Sequence, residues 1–159
     1  MRLTEEQRAQ HVDHLWWITQ AVFTGASLPT EKFFKHCVRH GEVFVSNRGQ
    51  YYPNTDLTFI AAYALVNGNE DDEYSPQHPF LRSIAVIPSE QGKGHGGQLL
   101  RDVAVYYRET GNELIMLHVK QDNVKAQILY LRNGYKIKRV IPDLYEAEGA
   151  GIVMEKELV

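Results

Sequence analysis

Three consecutive segments constrain the chain most: Leu81 to Pro88, Ser89 to Gly97 and Gln98 to Tyr107. The first, LRSIAVIP, is an apolar, β-branched run and reads as a buried strand. The second carries four glycines within six residues, Gly92, Gly94, Gly96 and Gly97, where the backbone must bend in ways that side chains would obstruct. The third sets Leu99, Leu100, Val103 and Tyr107 near one face of a helix. Strand, glycine loop and helix in that order suit an anion. Several N–H groups can turn inward together and the helix adds the positive end of its dipole, so a pyrophosphate needs few cationic side chains there.

Spacing separates the ligand classes that use such a loop. A P-loop requires a hydroxyl residue after its lysine, whereas Lys93 is followed by Gly94. Gly92, Gly94 and Gly97 do satisfy G-x-G-x-x-G, but a dinucleotide fold needs a long series of strand-helix-strand units, and only about one more fits downstream. An NAD-binding oxidoreductase is the weaker reading.

The rest of the chain is read in order. Thr4 and Gln7 are spaced for a capping box, and Val12, Leu15, Trp16, Thr19, Val22 and Phe23 recur at helical spacing up to Gly25. Trp16 and Trp17 cannot share a helix face, so one is expected in the core and the other exposed, covered by a second subunit or lining a cleft. Pro29 and Thr30 open a second helix that Gly41 closes. Strands are expected at Glu42 to Ser46 and Leu57 to Val66, with a turn at Asn47 to Gly49 and a broad loop at Tyr51 to Asp56. The carboxylate run Asn69 to Glu73 is expected to be a solvated loop, or, if it overhangs a cleft, an attractor of cationic amines. After the glycine unit come a strand at Glu113 to Val119, a helix at Asn123 to Arg132, and strands at Tyr135 to Tyr145 and Gly151 to Leu158.

Length and composition bound the function. With 159 residues, 43% of them hydrophobic, the chain is expected to form a single domain over residues 1–159. A net charge of -3 disfavours nucleic acid as a partner. The single cysteine, Cys37, excludes an internal disulfide. His11 with His14 and His36 with His40 lack a third ligand at readable spacing, so these histidines and His95 are expected at the surface and no metal is expected. The sequence contains no apolar run of about 18 residues and its start carries no cleavage signal, so no membrane partner and a cytoplasmic location are expected.

Ile84, Ala85, Val86 and Pro88, followed by Gln91-x-x-Gly94-x-Gly96, resemble the acetyl-coenzyme A signature of the GNAT superfamily of N-acetyltransferases. Asn123, Ala126 and Tyr130, followed by Gly134 and Tyr135, resemble that family's second block in order and spacing, so the likeness runs from residue 81 to residue 135. It implies an α/β GNAT fold: a mixed, mostly antiparallel central sheet, flanked by helices, whose parallel fourth and fifth strands splay around the pantetheine arm. It also implies acetyl-CoA as co-substrate. Backbone groups of Ile84, Ala85 and Val86 would pair with pantetheine, and the loop Gln91, Gly92, Lys93, Gly94, His95, Gly96 and Gly97 would hold the pyrophosphate. Asn123 would bond the arm or fix the strand end, and Ala126 belongs to the same block.

Acetyl transfer to an amine needs a neutral nitrogen, a donor for the developing oxyanion and a proton for the departing thiolate. Tyr130 matches the family tyrosine beside the sulfur and is the candidate acid. His118 stands where the branch that acetylates protein N-termini carries a glutamate, so it is either the base or a structural histidine, with His78 and Glu73 as secondary candidates. The function expected is N-acetyl transfer to a primary amine by direct attack in a ternary complex, because Cys37 lies outside both blocks. A CoA-binding sensor without catalysis is the alternative. The partner expected is an amine, small or on a peptide, and a homodimer is allowed for. The acceptor pocket is expected from Leu15 to Leu28 and Val140 to Ala150.

Overall fold

The computed structural model describes residues 1–47, 60–66 and 78–159. The expected turn at Asn47 to Gly49 (apart from Asn47), the loop at Tyr51 to Asp56, the start of the strand drawn from Leu57 and the run Asn69 to Glu73 lie outside these residues. In chain order the elements are α1 (Glu5–Val22), α2 (Glu31–His40), β1 (Glu42–Ser46), β2 (Ala62–Val66), β3 (Phe80–Val86), α3 (His95–Glu109), β4 (Leu114–Lys120), α4 (Val124–Arg132), β5 (Lys136–Ile141) and β6 (Gly151–Glu157).

Local chemistry sets the helix ends. The Thr4 hydroxyl accepts from the Gln7 N–H while the Gln7 side chain accepts from the Thr4 N–H, satisfying two donors that the first turn of α1 leaves unpaired. Thr30 caps α2 by accepting from the Phe33 N–H at 3.3 Å, and α2 stops at Gly41. Asn123 caps α4 in the same way, accepting from the Ala126 N–H at 3.2 Å.

The six described strands form one sheet in the order β1-β2-β3-β4-β6-β5. Every neighbouring pair is antiparallel except β3 and β4, which α3 connects and which run parallel. These are the fourth and fifth strands that the resemblance implied; they stand third and fourth among the described residues.

Alternation along each strand feeds two cores. On one face Ala62, Ala64, Leu117 and Ile115 pack with Leu99, Leu100, Val103 and Tyr107 of α3 and with Tyr130 of α4. On the other, Val43, Tyr63, Leu65 and Ala85 pack with Leu15 and Ile18 of α1 and Phe34, Cys37 and Val38 of α2. Trp16 sits partly buried against Phe34, with ring centres 5.5 Å apart, and Trp17 is 57% exposed, which separates the pair as their spacing required.

Two boundaries differ from expectation. Helix α3 begins at His95, not Gln98, so Gly96 and Gly97 lie in its first turn. Glycine is a poor interior helix former, yet the first turn is held by cap geometry and packing, and a Cβ on Gly96 would lie 3.0 Å from Leu129 of α4. Strand β5 stops at Ile141 and not Tyr145, because the chain turns there and enters a short 3-10 segment, Glu146–Glu148, closed by Gly149 at φ +99°.

Candidate active site

The parallel pairing of β3 and β4 is brief: Phe80 faces Met116, Leu81 faces Leu117, and no further register pair joins the strands. On its other edge β3 stays paired with β2, but Ser83 faces Leu65 and Leu81 faces Val66, so the ladder skips Arg82. This bulge turns β3 at the point where it leaves β4. Beyond it Ile84, Ala85 and Val86 remain bonded to β2 on one side, while their β4-facing edge borders the widening gap. Unpaired strand edges carry backbone donors and acceptors that a ligand with amide groups can satisfy.

The glycine loop lies at the end of β3. Gly94 caps α3 at φ +90°, a conformation that costs side-chain-bearing residues about 1–2 kcal/mol. The first intrahelical bond runs from the Gln98 N–H to the Gly94 carbonyl at 3.1 Å, leaving the N–H groups of His95, Gly96 and Gly97 ahead of the ladder. These donors, the dipole of a 15-residue helix and a left-handed glycine fit a pyrophosphate. Gln91 spans the loop, donating from Nε2 to the Val86 carbonyl at 3.1 Å and accepting from Lys125 Nζ at 2.9 Å. Lys93 is exposed and its ammonium bonds Glu90 at 2.9 Å.

His95 departs from expectation. It is 1% exposed, not a surface residue, and its side chain turns inward: Nδ1 lies 2.9 Å from the Ser46 hydroxyl and Nε2 lies 3.2 Å from Glu90 Oε2. The glycine loop is thereby tied to the end of β1. Lys93, and after it His95, hold the Glu90 carboxyl below the usual range through their hydrogen bonds.

The candidate catalytic side chains sit on opposite faces of β4. Tyr130 packs with the α3–α4 core, 6% exposed, its ring centre 5.7 Å from that of Tyr135. Burial, and secondarily the neighbouring Tyr145, pushes its phenol well above the usual tyrosine range. His118 alternates with the core residues Leu117 and Val119 and therefore faces the α1–α2 side. Its ring meets the Phe80 ring edge-on at 4.7 Å, and the Arg82 guanidinium lies 5.2 Å from the centre of that same ring. His118 and Arg82 are thus the first residues past the last paired positions of the two parallel strands. Asn123 serves as the α4 cap, and Ala126 packs against the core beside it.

A cavity of about 150 Å³ opens on the α1–α2 side, lined by aromatic residues and by Cys37, Leu65, Arg82 and Ser83. Its wall comes from Phe23 after α1, Pro29, and Phe33 and Phe34 of α2. It overlaps the expected pocket at the end of α1 but adds α2 and β3, and none of its lining comes from Val140 to Ala150. Behind Ser83 runs a chain of hydroxyls: Ser83 Oγ lies 3.0 Å from Tyr63 Oη, which lies 2.8 Å from Thr19 Oγ1, which donates to the Leu15 carbonyl at 2.8 Å. The cavity joins residues from α2, β2, β3 and the segment that follows α1, a convergence that local patterning does not encode.

The acetyltransferase (GNAT) family model matches residues 9–135, and the chain belongs to that family. It is 36% identical over 76 residues to an uncharacterized N-acetyltransferase of Methanocaldococcus jannaschii, covering 47% of this chain and 49% of that protein. It is also 36% identical over 56 residues to an uncharacterized N-acetyltransferase of Bacillus subtilis, covering 35% and 38%. The matches therefore span about half of these relatives or less. In three dimensions the chain resembles the ribosomal-protein-S18-alanine N-acetyltransferase from Escherichia coli, with a TM-score of 0.74 at 21% identity over 99% of this chain and 94% of that one. A Bacillus subtilis acetyltransferase in complex with CoA aligns with a TM-score of 0.73 at 18% identity over 92% and 93%. At these identities the likeness establishes the GNAT fold. Among the described residues no helix is long and apolar enough to cross a membrane.

Proposed function

We propose that this chain is an N-acetyltransferase in which an amine held on the α1–α2 side attacks acetyl-CoA directly within a ternary complex. The observation that carries the reading is the two-pair limit of the β3–β4 ladder, which leaves the Ile84 to Val86 edge without a partner strand directly before an anion-suited helix start. When bound, acetyl-CoA supplies a thioester whose carbon–sulfur bond breaks as the carbon–nitrogen bond forms. His118 accepts the proton lost by nitrogen, and Tyr130 donates one to sulfur; both then re-equilibrate with solvent. The raised phenol keeps Tyr130 protonated at neutral pH, as a proton donor must be.

Direct attack has a firmer ground than sequence distance. Cys37 lines the cavity, although it lies outside both motif blocks, so position alone does not remove it as a nucleophile. Burial raises its thiol, with Arg82 only partly opposing the effect, and the reactive thiolate is disfavoured.

Calorimetry with acetyl-CoA and NAD, followed by thiol-release assays across a panel of amines, tests the proposal. We expect acetyl-CoA to bind, NAD not to bind, and thiol to be released with at least one amine. Binding without release from any amine would replace the enzyme by a CoA sensor, and binding of NAD alone would overturn both.

A further inference from the structure

The hydroxyl chain behind the cavity has a definite polarity. Each hydroxyl owns one proton. Thr19 gives its proton to the Leu15 carbonyl, so its contact with Tyr63 must be filled by the Tyr63 proton, and the Tyr63 oxygen must then accept from Ser83. The Ser83 proton therefore points away from the cavity, and the serine presents only lone pairs to it. The neighbouring group on the same wall, Arg82, is the opposite: a guanidinium has five N–H donors, a fixed positive charge and no acceptor. The rest of the lining is mostly apolar, with three phenylalanines.

An acceptor-only oxygen, a donor-only cation and an aromatic wall complement a ligand with an N–H group, an anion and an apolar body. Because Ser83 and Arg82 are adjacent on β3, the N–H group and the anion must lie close together on that ligand, as they do across one carbon in an amino acid. A void of roughly this size takes one benzene ring, which sets the scale of the apolar body. Ser83 also directly precedes Ile84, at the start of the open edge, so an amine on Ser83 lies where β3 parts from β4.

We propose that the acceptor is a free α-amino acid with a one-ring or branched aliphatic side chain, its carboxylate held by Arg82, its amine donating to Ser83 Oγ and its side chain seated among Phe23, Phe33 and Phe34. This rests on the acetyl-transfer reading of the same site. The product is the N-acetyl amino acid and free coenzyme A, with one proton passing from nitrogen and one reaching sulfur. Polyamines lack the anion that Arg82 recognises, and their charge is repelled by it.

The test is binding to the complex of the enzyme with coenzyme A, measured calorimetrically with phenylalanine, phenethylamine, phenylpropionate and spermidine, alongside thiol release. Phenylalanine is expected to bind about tenfold to a hundredfold more tightly than phenethylamine, the range for a hydrogen-bonded charge. In Arg82→Gln that preference disappears. In Ser83→Ala phenylalanine weakens while phenylpropionate, which has no amine, does not. Unchanged coenzyme A affinity shows that each variant is folded. Equal or tighter binding of phenethylamine or spermidine, or a carboxylate preference that survives Arg82→Gln, overturns the assignment. Thiol release with other amines but not with phenylalanine would sink it and leave acetyl transfer standing. A phenylalanine preference in binding with no release from any amine would support the pocket assignment while sinking acetyl transfer.

Discussion

Tyr63→Phe tests the buried hydroxyl chain through stability, independently of any substrate. The Tyr63 side chain is fully buried, and burial pushes its phenol from 10.0 up to about 12, with the Ser83 and Thr19 hydrogen bonds opposing that rise. Below pH 10 neither the folded nor the unfolded phenol ionises, so the full contribution of Tyr63 is present. As pH rises from 10 towards 12 the unfolded phenol loses its proton while the folded one keeps it, and stability falls. Two pKa units correspond to a ceiling of about 3 kcal/mol. At neutral pH the substitution removes the donor to Thr19 and the acceptor for Ser83, costing about 1 kcal/mol. The linkage loss in the wild type reaches that size near about pH 11, so the two stability curves should cross there. Urea unfolding of both proteins at a series of pH values, followed by tryptophan fluorescence, measures the difference. Tyr130 and Tyr135, also raised by burial, contribute equally to both proteins and cancel. A difference that stays constant from neutral to alkaline pH would refute the buried-phenol argument.

Two further substitutions address the chemistry and the loop. Tyr130→Phe should lower turnover by roughly a hundredfold or more while acetyl-CoA affinity holds, the signature of a lost proton donor; equal turnover with chemistry rate-limiting removes Tyr130 as the acid. His95→Ala leaves the nearly buried Ser46 hydroxyl without its imidazole partner and frees one oxygen of Glu90, so unfolding free energy should drop by about 1–3 kcal/mol and coenzyme affinity should weaken. If neither changes in urea titration and calorimetry, the tie between β1 and the glycine loop has no mechanical role.

What could be read from the sequence was local. The Thr4 capping box and the start of α2 at Thr30 depend on residues within three positions and form as expected, whereas the equally local Asn123 cap was not among the expectations for that residue. The strand, glycine loop and helix are likewise contiguous; within them the first turn of α3 and the inward ring of His95 differ from the pattern, the first because glycine propensity argues against a helix that packing against Leu129 supports. The acceptor side was poorly legible because it is assembled by sheet register. Thr19, Tyr63 and Ser83 lie on α1, β2 and β3 and meet only after the strands pair. Cys37 on α2 and Arg82 at the β3 bulge meet at one cavity only in the folded chain. A histidine between two glycines looks solvent-facing until β1 delivers Ser46 to its ring.

The gap between β3 and β4 also bears on association between chains. At the rim of a sheet, unpaired backbone invites a neighbouring molecule to extend the ladder, a recurrent route to aggregation. Here the open edge lies inside the sheet, with β4 as the next strand, and not at its rim. A protein strand that would extend the ladder from an outer edge meets β4 there, so the sheet itself shields the β3 amides from that route.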